Sequence, residues 1–203
     1  MNKYGARFKY SKFLNIIDQS DEAVTSNITT ITMRRDLRVV LNALAEYQIG
    51  FGNEFHIKNM SGYNIKSTGF KISGVTSTVY ISDIPNTDRI NGSLFLFTVP
   101  SINSTEPTII RRNVGTIDYE NGIITINPIN VLSGKIKDGQ TIIELSACPV
   151  SNDVIGLQDL YLQLDISTST FETVIDEISS GLDPAASNYV VTSSYANGNL
   201  VRS

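Results

Sequence analysis

The chain has 203 residues, 41% of them hydrophobic, and its 16 Lys and Arg against 20 Asp and Glu leave a net charge of −4. That length and apolar content suffice for one good core or two small ones, while the acidic balance argues against general nucleic-acid binding, which needs a positive surface to meet phosphate. No apolar run is long enough to cross a membrane, and residues 1–12 lack the apolar centre of a secretory signal, so a soluble chain kept in the cytosol that makes it is expected.

Residues 10–18 place Tyr10, Phe13, Leu14 and Ile17 at i, i+3, i+4 and i+7, which predicts a short amphipathic helix. Asp21 can cap a turn through Val24. The nearby carboxylates Asp18, Asp21 and Glu22 lack the alternating ligands and glycine of a calcium loop. Residues 28–33 mix Ile and Met with Thr, the composition of a half-buried strand. This run ends in Arg34, Arg35, Asp36 and Arg38, four charges within five positions. Strand alternation puts Arg34 and Asp36 on one face and Arg35 with Leu37 on the other. One arginine is therefore expected to brace the fold while another docks a neighbour; a solvated strand end is the alternative.

An extended start is expected for 37–44, then two short strands, 48–51 and 54–58, around Gly52-Asn53. Residues 64–73, 77–82 and 93–99 are rich in β-branched and aromatic residues and predict strands of one antiparallel sheet, broken at Gly74, at 84–86 and at Asn91-Gly92. Residues 114–119 and 123–127 flank Asn121-Gly122, which predicts a hairpin with a type I′ turn. A second turn is expected at 137–140, leading into a strand over 141–147. The second half of 157–166 alternates as a strand. Over 168–180, Phe171, Val174, Ile175 and Ile178 recur at helical spacing, with Ser169 or Thr170 as a cap and Gly181 as a stop. A short strand is expected at 188–192, with 196–201 pairing to it or fraying.

The expected fold class is α+β and β-rich: mainly antiparallel sheet, with a short N-terminal helix and a C-terminal helix. Three parts are expected: an assembly segment of helix and strand over 1–45, a β-rich domain over 46–150, and a strand/helix segment and tail over 151–203. Cys148 is alone and so has no disulfide partner in the chain, which favours a buried structural role. His56 is the only histidine, which favours a packed or surface residue over a metal or relay site. The sequence has no nucleophile elbow, phosphate loop, dinucleotide fingerprint or Cys/His ligand set. A non-enzyme without catalytic, cofactor or metal residues is therefore expected, and without small-molecule substrate, nucleic-acid or membrane partners.

Taken together, residues 10–13, Ile17-Asp18, 25–29, 33–37 and 115–122 resemble the C-terminal half of the baseplate wedge protein, gene product six, of T-even-type contractile-tailed phages. The resemblance runs over most of 9–130 and more loosely beyond. Members of that family are larger, so it implies a split gene product, a reduced relative or the ordered part of a larger component. It further implies a structural virion protein at the tail baseplate. Such a wedge subunit dimerises with another copy and joins other wedge proteins in a ring around the hub. From the residues themselves, the charged strand end and the helix expected over 168–180 make Arg34, Arg35, Asp36, Arg38, Phe171 and Ile175 the candidate subunit-interface residues. A non-catalytic β-sandwich module binding carbohydrate or protein is the alternative.

Overall fold

The computed structural model describes residues 7–99, 106–156 and 160–173, with the strand residues 177–178, 189–190, 195–196 and 199–200. The chain divides into two units, 1–160 and 161–203. The first opens with β1 (Arg7–Phe8) and α1 (Tyr10–Asp18). It continues through β2 (Met33–Arg38), β3 (Leu44–Gly50), β4 (Lys66–Ser67), β5 (Lys71–Ile72), β6 (Tyr80–Pro85), β7 (Asn91–Thr98), β8 (Thr108–Asp118), β9 (Ile123–Ser133), β10 (Lys135–Lys137), β11 (Gln140–Ala147) and β12 (Val154–Ile155). The second unit contains β13 (Glu177–Ile178) paired with β14 (Tyr189–Val190), and β15 (Tyr195–Ala196) paired with β16 (Asn199–Leu200).

Every pairing is antiparallel, and the strands of the first unit form two main sheets. One has the order β3-β9-β8-β7-β6, with β5 also on β9; the other has the order β10-β11-β2, with β4 also on β11. Their inward residues share one core. Met33 and Leu37 of β2 and Ile143, Leu145 and Ala147 of β11 join Ile81, Leu94, Leu96, Ile117, Ile124 and Ile126 of the larger sheet. Inward-facing aliphatic residues, isoleucine and leucine above all, supply this core, and their burial is the main source of stability.

Among the described residues the predicted C-terminal helix is absent. Residues 166–168 make a turn, 169–173 carry no helix, Phe171 is exposed, and 177–178 is a strand; the remaining positions, Ile175 among them, lie outside the described residues. Thr and Ser crowd this segment, and both favour the helix poorly. Spacing alone cannot hold a short helix without a surface to cover its apolar side. The fold is thus β-rich, with one helix among the described residues. In α1, Tyr10, Phe13, Leu14 and Ile17 are the half-buried positions, as the spacing predicts. Its first N–H, that of Tyr10, donates to Asp153 Oδ1 at 2.8 Å.

Several boundaries moved for local reasons. Residues 28–32 are not a strand, and Ile28 is exposed; pairing begins only where β11 lies alongside Met33. Residues 54–58 form no strand beyond a single bridge from Phe55 to Pro149. The strand expected over 64–73 is the two short pieces β4 and β5, and β6 and β7 run through Pro85 and through Asn91-Gly92. The 118–123 hairpin exists, but of its central pair only Gly122 takes positive φ, so the turn is not type I′. Asp118 closes it instead, accepting from the Asn121 N–H and side-chain amide at 2.9 and 2.8 Å, and these bonds hold its carboxyl below the usual range. The paired positive φ of a type I′ turn occurs at Asp138-Gly139, between β10 and β11.

The far edge of β6 is sealed by the chain before it. The Tyr63 N–H donates to the Asp83 carbonyl at 3.0 Å, and the Ile81 N–H to Ser67 Oγ at 2.7 Å. Asp83 itself is fully buried. Its Oδ1 accepts from the Ile65 N–H at 2.6 Å, and its Oδ2 from the Asn64 amide at 2.9 Å and from the Tyr119 hydroxyl. Burial, reinforced by the Asp83 carboxylate, pushes the Tyr119 hydroxyl well above its ordinary value. Above pH about 10 the unfolded chain therefore releases this proton while the folded chain keeps it, so wild type loses stability as pH rises. Denaturant melts should show the advantage of wild type over Tyr119→Phe constant below pH about 10 and shrinking above it. An advantage that grows with pH would contradict this placement.

Candidate subunit interface

The charge cluster lies on β2, the end strand of the four-stranded sheet. Met33 and Leu37 point into the core and Arg35 shares their face, while Arg34, Asp36 and Arg38 share the opposite, more open face. Arg35 reaches across to donate through Nη1 to the Gly50 carbonyl at the end of β3, tying the two sheets together. This is the bracing arginine. Arg35→Ala leaves that half-buried carbonyl without its donor and is expected to cost about 1–2 kcal/mol. Arg34→Ala is expected to change stability by under about 0.5 kcal/mol, as for an exposed ion pair. Urea melts of the two variants check the contrast, and equal losses would overturn it.

On the open face, Arg34 and Asp36 join residues that lie far away in sequence. Asp36 is directly opposite Glu144 of β11. Lys135 donates to both Glu144 carboxylate oxygens at 2.8 and 2.9 Å, Arg34 Nη1 stands 3.9 Å from the same carboxylate, and Lys137 pairs with Asp36. The bond and charge of Asp36 raise the Lys137 ammonium above its ordinary value. Glu144 is buried beneath these cations, with its backbone N–H on Thr68 Oγ1 at 3.0 Å. With Arg38, the face carries four cations and two carboxylates, a local positive surplus on an acidic chain. Glu144, Lys135 and Lys137 were not singled out in the sequence; the turn at 137–140 was the signal, since it folds β10 back along β11.

The edge of β2 away from β11 is open. The Val39 N–H donates to the Thr141 carbonyl at 3.1 Å, and this parity turns the N–H and C=O of Leu37, Arg35 and Met33 towards β11. Those of Arg34, Asp36 and Arg38 point the other way, and no hydrogen bond to them is present among the described residues. Phe171, also a candidate, is exposed in the second unit; Ile175 lies outside the described residues.

A second surface feature is an open groove of about 290 Å³ lined by Tyr63, Ile65, Tyr80, Phe97 and Val99, with Lys66 and Ser67 beside them. The Tyr80 and Phe97 rings stack at 5.5 Å, and Tyr63 meets Phe97 edge-on at 5.4 Å from a backbone held at φ 65°. Among the described residues no three His, Cys, Asp or Glu side chains group as metal ligands, and no helix is long and apolar enough to cross a membrane. Cys148 is half-buried and His56 exposed.

No curated protein matches the chain. A family model described as baseplate structural protein gp6, C-terminal domain III, matches residues 1–36. That stretch holds β1, α1 and β2 as far as Asp36. The match stops there: it supports a likeness to that one C-terminal domain over 1–36 and not the resemblance expected over most of 9–130. Over its first 36 residues, the chain is similar to a structural component of a baseplate.

Proposed function

We propose that this chain is a structural subunit of a contractile phage tail baseplate. It would act as a wedge component that pairs with a second copy and with other wedge subunits, linking them into the ring around the hub. The family match over 1–36 carries this reading, because it ends inside the charged edge strand β2. That strand offers what a docking subunit needs: open backbone groups and a fixed pattern of charge, which select partners by complementarity. The function calls for no reacting group. Immunogold labelling of purified tails with antibody to the chain should decorate the baseplate end. Labelling confined to the host surface, or tails without the chain, would contradict the proposal.

One observation favours a carbohydrate-binding module instead. The near-parallel Tyr80 and Phe97 rings, with Tyr63 edge-on to Phe97, line a shallow aromatic groove with a hydroxyl and an ammonium at its rim, and sugars pack against such aromatic faces. Calorimetric titration with a panel of cell-surface oligosaccharides separates the two: binding that Tyr63→Ala abolishes would support the module.

A further inference from the structure

The second unit begins with an apolar stretch that nothing among the described residues covers. Leu160 packs against the core, but the next residues are open: Tyr161 is 88% exposed, Leu162 68%, Leu164 68% and Ile166 79%. A segment of this length with alternate large aliphatic side chains in water is costly unless a partner covers it. Residues 160–165 form neither helix nor strand, although their alternation is that of a strand with one apolar side. A turn closes the stretch, with Asp165 accepting from the Ser167 N–H at 3.1 Å and hydroxyl at 2.5 Å.

From these exposed residues and the open β2 edge we infer that residues 161–166 of one copy add as a strand to β2 of a second copy. This rests on the assembly reading above and deepens it by naming the contact. The stretch has six residues, as has β2, so it can meet all the outward N–H and C=O groups of Arg34, Asp36 and Arg38. In such a pairing Leu162, Leu164 and Ile166 continue the apolar row of Met33 and Leu37. Tyr161, Gln163 and Asp165 then fall on the face of Arg34, Asp36 and Arg38. There Asp165 brings negative charge to a face with four cations and two carboxylates. Arginines on an edge discourage indiscriminate pairing, but they favour a strand that presents a carboxylate on their side.

Two variants separate donor from acceptor. Leu162→Ser/Leu164→Ser spoils the donor in an exposed segment and leaves the core alone. Asp36→Pro spoils the acceptor by removing an outward N–H without breaking a bond to β11. By analytical ultracentrifugation, wild type is expected to associate, each variant alone to bind itself about a hundredfold more weakly, and an equimolar mixture of the two to form a one-to-one pair. Wild-type amide exchange gives a readout that does not depend on how Asp36→Pro folds. The N–H groups of Arg34, Asp36 and Arg38 should exchange about tenfold or more slowly on association. A monomeric wild type, variants that associate like wild type, a mixture that stays monomeric, or protection of these amides in a monomer by the chain's own segment would each overturn the inference. Location in the tail is judged by the labelling experiment alone, so the baseplate proposal and this contact fail separately.

Discussion

Asp83→Ala is expected to lower stability by about 3–5 kcal/mol, because it strips a buried acceptor from three donors at once. The Ile65 N–H, the Asn64 amide and the Tyr119 hydroxyl all converge on this carboxylate, and Ile65 and Tyr119 are buried, so their donors have no water to turn to. Part of the loss is offset, since the folded state no longer buries a carboxylate. Asp83→Asn keeps the shape and one acceptor oxygen, so it should cost about half as much. The fall should appear in urea as a lower midpoint with an unchanged slope. If alanine proved neutral, the network would not be what holds 62–67 over β6.

Gly122→Val should cost about 2–4 kcal/mol, from the left-handed backbone and a collision together. Gly122 has φ 64°, and a Cβ there would stand 2.1 Å from the Asn53 carbonyl oxygen. The obstacle is backbone, and backbone does not swing aside as a side-chain tip would. The same glycine accepts from the Phe51 N–H at 2.8 Å, so a shift at the turn would also disturb the end of β3. Gly139→Ala makes the control: its φ of 74° carries the conformational penalty, but no atom lies within 4 Å of its added Cβ. Thermal melts should therefore rank Gly122→Val well below Gly139→Ala. Equal losses would show that conformation alone accounts for the effect.

Much of the fold can be read from runs of β-branched and aromatic residues: β9 buries alternate positions, while β6, β7 and β11 bury three or four residues in a row and so are covered on both faces there. Helix α1 could be read for the same kind of reason, as its four apolar residues are the ones partly covered. Segments that draw their shape from a distant partner were not legible. Asp83 and Tyr119 lie 36 positions apart, and neither residue type predicts burial. Residues 28–32 have the composition of a strand and 168–180 the spacing of a helix, yet where described the first forms no strand and the second no helix, because propensity without a covering surface decides little. At the candidate interface, the face assignment of Arg34, Arg35 and Asp36 followed from local alternation. Glu144 and the two lysines needed the β10-β11-β2 pairing to bring them there.

Lysine-directed crosslinking of intact tail particles tests the central claim most directly, since Lys135 and Lys137 lie on the charged face beside β2. A docking role predicts crosslinks from these two lysines to a second copy or to another baseplate subunit, absent when the isolated chain is crosslinked at high dilution. Crosslinks from Lys135 and Lys137 that stay within one chain in the assembled particle would contradict it.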